Sequence, residues 1–278
     1  MTHAGLFGAD LEMVTKVFRP AGAGPFPVVV FSHGRASDVV DRAKLTQGVS
    51  EAQLRWWLAR GAAVVSPIRS GYGATGGTDV ENSYIRLDER GECRSRRDYA
   101  RVAEAQARTV EATLAWIATQ PWADPQRVPL VGQSAGGLTT VAAAATAPAG
   151  VVGYINFAGG SGGNPTRSPG RSCDPEQLTR LYERFGKTTT MPNLWVYAQN
   201  DQYGGPDAPA AWHAAFARGG SPTTFFHAPP LADGDGHGLS RHAAALWAPT
   251  VEAFLQRVRF LSPPPAATAP PAAASSVH

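Results

Sequence analysis

Short apolar runs recur along the chain, and segments with apolar residues every three or four positions lie between them. Pro27-Val28-Val29-Val30-Phe31-Ser32 and Ala62-Ala63-Val64-Val65-Ser66-Pro67 are continuous apolar stretches, as expected of strands buried on both faces. Arg127-Val128-Pro129-Leu130-Val131 reads as a short buried strand, Val151–Phe157, Asn193–Ala198 and Pro222–His227 read as further strands, and Met13–Phe18 alternates as an early strand. Asp98–Gln120 predicts the clearest helix: Tyr99, Ala103, Ala107, Val110, Leu114 and Ile117 share one face, and Pro121 stops it. Helices are also predicted over Ser50–Arg60 (closed by Gly61), after Ser134, over Ala208–Arg218, and through Val251, Phe254, Leu255 and Val258.

Strands alternating with helices call for an α/β fold with a mostly parallel sheet covered on both faces. Residues 1–261 read as one domain, and 262–278, almost entirely Pro, Ala, Ser and Thr, as a disordered tail. Two long irregular insertions interrupt the alternation, Ser70–Arg97 and Gly159–Pro192, and insertions of that length usually serve function.

With 43% hydrophobic and 17% charged residues over 278 positions, there is material for a sizeable core. A net charge of +3 does not argue for nucleic acid, and no apolar run is long enough for a membrane span. The N-terminus shows no basic-then-apolar signal peptide. Cys93 and Cys173 form no C-x-x-C pair, so no structural zinc site is expected. Both lie in irregular polar stretches, which predicts a disulfide between the two insertions and an oxidising compartment, secreted or periplasmic; without the bridge the expectation is cytoplasmic.

The chemistry centres on Gly132-Gln133-Ser134-Ala135-Gly136. A strand precedes it and a small-residue helix follows, the context in which G-x-S-x-G makes a nucleophile elbow. A serine hydroxyl needs a base to take its proton, and the base needs an acid to hold its tautomer. On a sheet of this kind the acid follows a later strand, and Asp201, just past Leu194–Ala198, meets that condition. Among the seven histidines, His237 in the glycine-rich loop Asp233–Leu239 is the expected base, with His227 the alternative. Asp233 and Asp235 share that loop, which makes them poorer orienting acids than one on a neighbouring strand end. Backbone N–H groups of Ala135 and of Arg35, beyond Ser32-His33-Gly34, are the expected oxyanion donors.

Gly71-Tyr72-Gly73-Ala74-Thr75-Gly76 matches G-x-G-x-x-G, but no helical period follows, so it reads as a rim loop in which Tyr72 touches substrate. The arginines between 86 and 101 alternate with acids and read as a solvated, ion-paired loop, with a carboxylate-bearing substrate as the alternative. No cofactor or metal is implied.

Together, Ser32-His33-Gly34, Arg69–Gly73, Gly132–Gly136, Tyr197–Asp201 and Asp235–Leu239 resemble the α/β-hydrolase superfamily. Within it the chain is similar to the dienelactone-hydrolase-like group and its prolyl-oligopeptidase-type relatives, over about residues 10 to 260. The resemblance implies an α/β-hydrolase fold and a Ser134–His237–Asp201 triad. Dienelactone hydrolases proper use a cysteine nucleophile; Ser134 in its place favours ordinary esters over lactones. With no propeller or second domain ahead of the core in this sequence, the peptidase relatives are expected to fit less well. The expected activity is a carboxylesterase acting on small or polymer-linked esters. An amidase or peptidase on the same triad, and a non-catalytic binding module, are the alternatives.

Overall fold

In the computed structural model the described residues are 2–4, 10–36, 38–84, 97–232 and 234–261. Eight strands form the central sheet: β3 (Thr15–Phe18), β4 (Phe26–Ser32), β5 (Ala63–Pro67), β6 (Ala123–Asp124), β7 (Val128–Gln133), β8 (Val151–Phe157), β11 (Asn193–Ala198) and β12 (Thr223–Ala228). Their order is β12-β11-β8-β7-β4-β5-β3, with β6 pairing β4. All pairs are parallel except β3 with β5. Two small antiparallel hairpins stand apart: β1 (Thr2–Ala4) with β2 (Asp10–Glu12), and β9 (Gly163–Asn164) with β10 (Ser168–Ser172).

The continuous apolar runs fill the middle of this sheet. Val28 to Val30, Val64, Val65, Leu130, Val131, Ile155 and Trp195 are essentially inaccessible, because helices cover both faces. One face carries α4 (Tyr99–Ile117), α5 (Ala135–Ala144), α6 (Pro175–Gly186) and α7 (Ala208–Ala217). The other carries α2 (Glu51–Leu58) and α9 (Ala244–Arg257), with Trp56, Trp57 and Trp247 packed edge to face. Short helices α1 (Val39–Lys44), α3 (Val80–Tyr84) and α8 (Leu239–His242) lie in the connections.

The insertions are more ordered than their composition suggests. Gly159–Pro192 holds the β9–β10 hairpin and α6, so the expectation of an irregular segment is corrected. Asp174 caps α6 by accepting from Gln177 N–H, Pro175 sits in its first turn, and Leu178, Leu181, Tyr182 and Phe185 form its buried face. The Ser70–Arg97 insertion contains α3, where no helix is expected; residues 85–96 lie outside the described ones. So does the 262–278 tail. Among the described residues no helix is long and apolar enough to cross a membrane, and no group of three or more His, Cys, Asp or Glu side chains is placed to hold a metal.

Candidate active site

Strand β7 runs directly into α5, and Ser134 is the residue between them. Its backbone is held at φ +58°, a region that costs energy for any residue with a Cβ. The surroundings enforce it. Ser134 N–H donates to Phe157 O (2.9 Å), and Gly137 N–H donates back to Ser134 O (2.8 Å). Gly132 and Gly136 let the turn close. A Cβ on Gly132 would overlap the Gly136 carbonyl, and one on Gly136 would overlap the Ser32 carbonyl.

Asp201 follows β11 and is buried. Its Oδ1 accepts from the backbone N–H groups of Tyr203 (2.7 Å) and Gly204 (3.1 Å), and its Oδ2 lies 2.9 Å from His237 Nδ1. Burial alone would raise its carboxyl pKa. Attraction to His237, the bond to it and the two N–H donors outweigh that and hold the pKa below the usual value. His237 follows β12 on a short loop; its Nε2 lies 2.9 Å from Ser134 Oγ. The three side chains thus form one hydrogen-bonded line, with Nδ1–H directed at Asp201 and a lone pair on Nε2 directed at Ser134. In this geometry Oγ can pass its proton to Nε2 as it attacks a carbonyl.

Two side chains tie the His237 loop to the Asp201 loop. Asp235 Oδ1 accepts from His237 N–H (2.8 Å) and from Gln202 N–H (2.9 Å). Asn200 spans Leu231 and Gly234, and its carbonyl accepts from Gly236 N–H. Asp235 is therefore a loop clasp and Asp201 the residue at the imidazole. His227 lies at the end of β12, its Nε2 buried without a partner, and makes no bond to Ser134.

Ala135 begins α5, so its N–H has no partner within the helix. Gly34 lies against the elbow: a Cβ there would come 3.3 Å from Ser134 Cβ. Arg35 follows it at the edge of the same cavity. The loop that carries Arg35 is fixed from beneath. His33 Nδ1–H donates to Gly34 O (2.8 Å), and His33 Nε2 accepts from Arg69 N–H (3.2 Å). Burial, then the Arg69 charge, lowers the His33 pKa far enough to keep this ring neutral. The Arg69 guanidinium donates to the carbonyls of His33 and Gly34 and pairs with buried Glu81 at 3.5 Å.

Tyr72 belongs to that support, not to the substrate surface. It is 1% exposed, its hydroxyl donates to Glu81 (2.7 Å), and its ring meets His33 edge to face at 4.8 Å. It does not line the cavity. The expectation of a rim residue fails because Glu81, nine positions on, draws the phenol inward.

A cavity of about 360 Å³ opens over Ser134 and His237, bordered by Arg35, Ser161 to Gly163, Tyr203, Trp212 and Arg241. Tyr203 is a contact the motif reading misses; its only trace in the sequence is an aromatic two residues past Asp201. Cys173 ends the hairpin, buried, with its carbonyl accepting from Tyr99 O–H. Its expected partner, Cys93, lies outside the described residues.

Residues 8–192 match the family described as X-Pro dipeptidyl-peptidase (S15 family). That span includes Ser134 but neither Asp201 nor His237. No curated protein matches the chain. Among solved structures, a puromycin-hydrolyzing peptidase of Mycobacterium tuberculosis is 20% identical with a TM-score of 0.58, covering 94% of this chain and 38% of that one. This chain therefore spans under two-fifths of that peptidase. An acetyl xylan esterase from Paenibacillus sp. R4 is 16% identical (TM-score 0.58), covering 94% of this chain and 82% of the other. Est1E from Butyrivibrio proteoclasticus, solved with ferulic acid bound, is 16% identical (TM-score 0.61), covering 93% and 99%. These similarities show the α/β-hydrolase fold.

Proposed function

Since the chain belongs to the S15 X-Pro dipeptidyl-peptidase family of α/β-hydrolases, we propose that it is a serine hydrolase whose substrates are carboxylic esters. The carrying observation is the line Asp201–His237–Ser134, with both links at 2.9 Å, at the floor of an open cavity. Ser134 Oγ bonds to the ester carbon while its proton moves to His237 Nε2, and the carbonyl π pair moves to oxygen. The N–H groups of Ala135 and Arg35 receive that oxyanion. Collapse expels the alcohol, which takes the proton from His237, and water then releases the acid by the same steps. One neighbour is by name an acetyl xylan esterase, and Est1E was solved with a carboxylic acid, ferulic acid, bound; both agree with this substrate class.

The family's own description favours a second reading, cleavage of a dipeptide from a free N-terminus. That substrate carries an ammonium group, which calls for a carboxylate to receive it. Among the described residues lining the cavity, Asp201 is the single acid and is engaged with His237, whereas Arg35 and Arg241 are cationic. This charge pattern supports the ester reading. Turnover of p-nitrophenyl acetate against Gly-Pro-p-nitroanilide separates the two, and fluorophosphonate labelling tests both. Ser134→Ala and His237→Ala should each lose on the order of 10⁶ in kcat; activity within tenfold of wild type in Ser134→Ala would falsify the mechanism.

The Cys93–Cys173 bridge stays a proposal, supported by the placement of Cys173 on the insertion beside the cavity. With it stands a secreted or periplasmic location. Intact mass after alkylation, with and without reduction, decides the bridge; two alkylatable thiols in the unreduced chain would remove it.

A further inference from the structure

We infer that Tyr203 is a positioning residue of this site: its ring holds the His237 imidazole in line with Ser134, and the β9–β10 hairpin presses it there. The inference rests on the triad reading above. The two rings stack with centroids 3.9 Å apart and planes 24° from parallel. The hydrogen bonds to Asp201 and Ser134 both act at the edge of the imidazole. They fix its in-plane direction and resist tilting weakly. A flat partner on its face resists tilting directly. Tyr203 is suited to this because its own backbone is tied to the acid: its N–H donates to Asp201 Oδ1 at 2.7 Å. Acid, base and face partner are thus held as one unit.

The stack also matches the charge that develops. As Oγ bonds to the carbonyl carbon, its proton passes to Nε2 and the imidazole becomes a cation. An aromatic face beside a cation attracts it. Burial, with the negative charges of Asp235 and Asp201, raises the Tyr203 pKa against the opposing charge of Arg241, so the ring remains a neutral phenol.

The hairpin packs directly against this unit. Gly163, in β9, lies so close to Tyr203 that an added Cβ would come 2.7 Å from its Cβ and 2.7 Å from its carbonyl oxygen. At the other end, Gly170 N–H donates to Gln202 O at 2.7 Å. Ser161, Gly162 and Gly163 of the same insertion border the cavity. One segment therefore touches both the substrate space and the residue that steadies the base.

The test uses the full chain with Tyr203→Phe, Tyr203→Leu and Gly163→Ala. Steady-state kinetics on p-nitrophenyl acetate and the second-order rate of fluorophosphonate labelling at Ser134 are measured for each. Tyr203→Phe, which keeps the ring, should hold kcat within about twofold of wild type. Tyr203→Leu should lower kcat roughly ten- to a hundredfold with KM changed less than about threefold, and the labelling rate should fall in step. Gly163→Ala should follow the leucine variant, since the displaced backbone carries Tyr203 with it. A leucine variant that keeps kcat within about twofold overturns the inference, and so does a phenylalanine variant that falls as far as leucine. Should Tyr203→Leu not fold, Tyr203→Met is judged by the same thresholds. A wild-type chain that is not labelled at Ser134 overturns the triad reading itself; a wild type that labels while Tyr203→Leu labels equally fast overturns only this inference.

Discussion

Around Ser134 the chain is packed backbone against backbone; around Asp201 and His237 it is tied by side-chain hydrogen bonds. At the elbow, Gly132, Gly136 and the Ser32 carbonyl leave no room for a single extra carbon. In the acid–base half, Asp201, Asp235 and Asn200 carry the loops through bonds to backbone N–H and C=O groups. On the proposed mechanism, the contrast follows from what each residue must do. The nucleophile needs one strained backbone conformation, which hard packing enforces. The base must accept and return a proton without moving far, and a hydrogen-bonded frame holds it while it changes charge.

Two perturbations probe that contrast, and a third tests a buried group outside both regions. The largest is Asp201→Asn. The amide would offer a donor where His237 Nδ1–H needs an acceptor, and the imidazole would lose its productive tautomer. We expect kcat to fall by roughly 10⁴ with the fold retained, measured by ester kinetics beside a urea titration. Wild-type kcat in this variant would mean that another group orients His237. Next is Gly136→Ala, which strikes packing and not polarity. Its Cβ must displace the end of β4, and overpacking of this kind costs about 1–3 kcal/mol. The urea midpoint should drop, and activity with it; an unchanged midpoint would show that the elbow is softer than its contacts imply.

The smallest effect concerns pH. His213, on α7, packs against Trp195 and Phe225, and burial lowers its pKa from 6.5 to about 4. Between those values the unfolded chain binds a proton that the folded chain does not. Stability from this group is therefore complete above about pH 6.5 and is lost as pH falls toward 4. His213→Phe should flatten the pH dependence of the urea midpoint across that window while leaving kcat unchanged. If the slope persists unaltered, another buried group carries it.

The sheet, and the three side chains that the structure brings into one hydrogen-bonded line, each leave a local trace in the sequence. Buried parallel strands are continuous apolar runs, the elbow carries its glycines, and acid and base follow later strands in the expected order. What escaped was long-range or masked by composition. The α6 helix sits in a stretch rich in Gly, Pro and Arg, although Asp174-Pro175-Glu176 followed by Leu178, Leu181, Tyr182 and Phe185 is a capped amphipathic pattern. Tyr72 looked like a rim residue because glycines surround it; only its bond to Glu81 places it inside. The stack of Tyr203 on His237 joins residues 34 positions apart through a turn whose geometry no spacing encodes.

The split between β7 and β12 has a consequence for how the molecule is made. Ser134 and His237 are 103 residues apart in the chain, and the parallel topology allows no local shortcut between them. Closing so long a loop carries an entropic cost that only later contacts repay. During synthesis Ser134 emerges well before His237, and a domain folds as a unit. On the triad reading, a half-made chain therefore carries a serine without its base. The imidazole can reach Ser134 only once the last strand pairs with β11, so on that reading an activated hydroxyl needs the C-terminal part of the sheet in place.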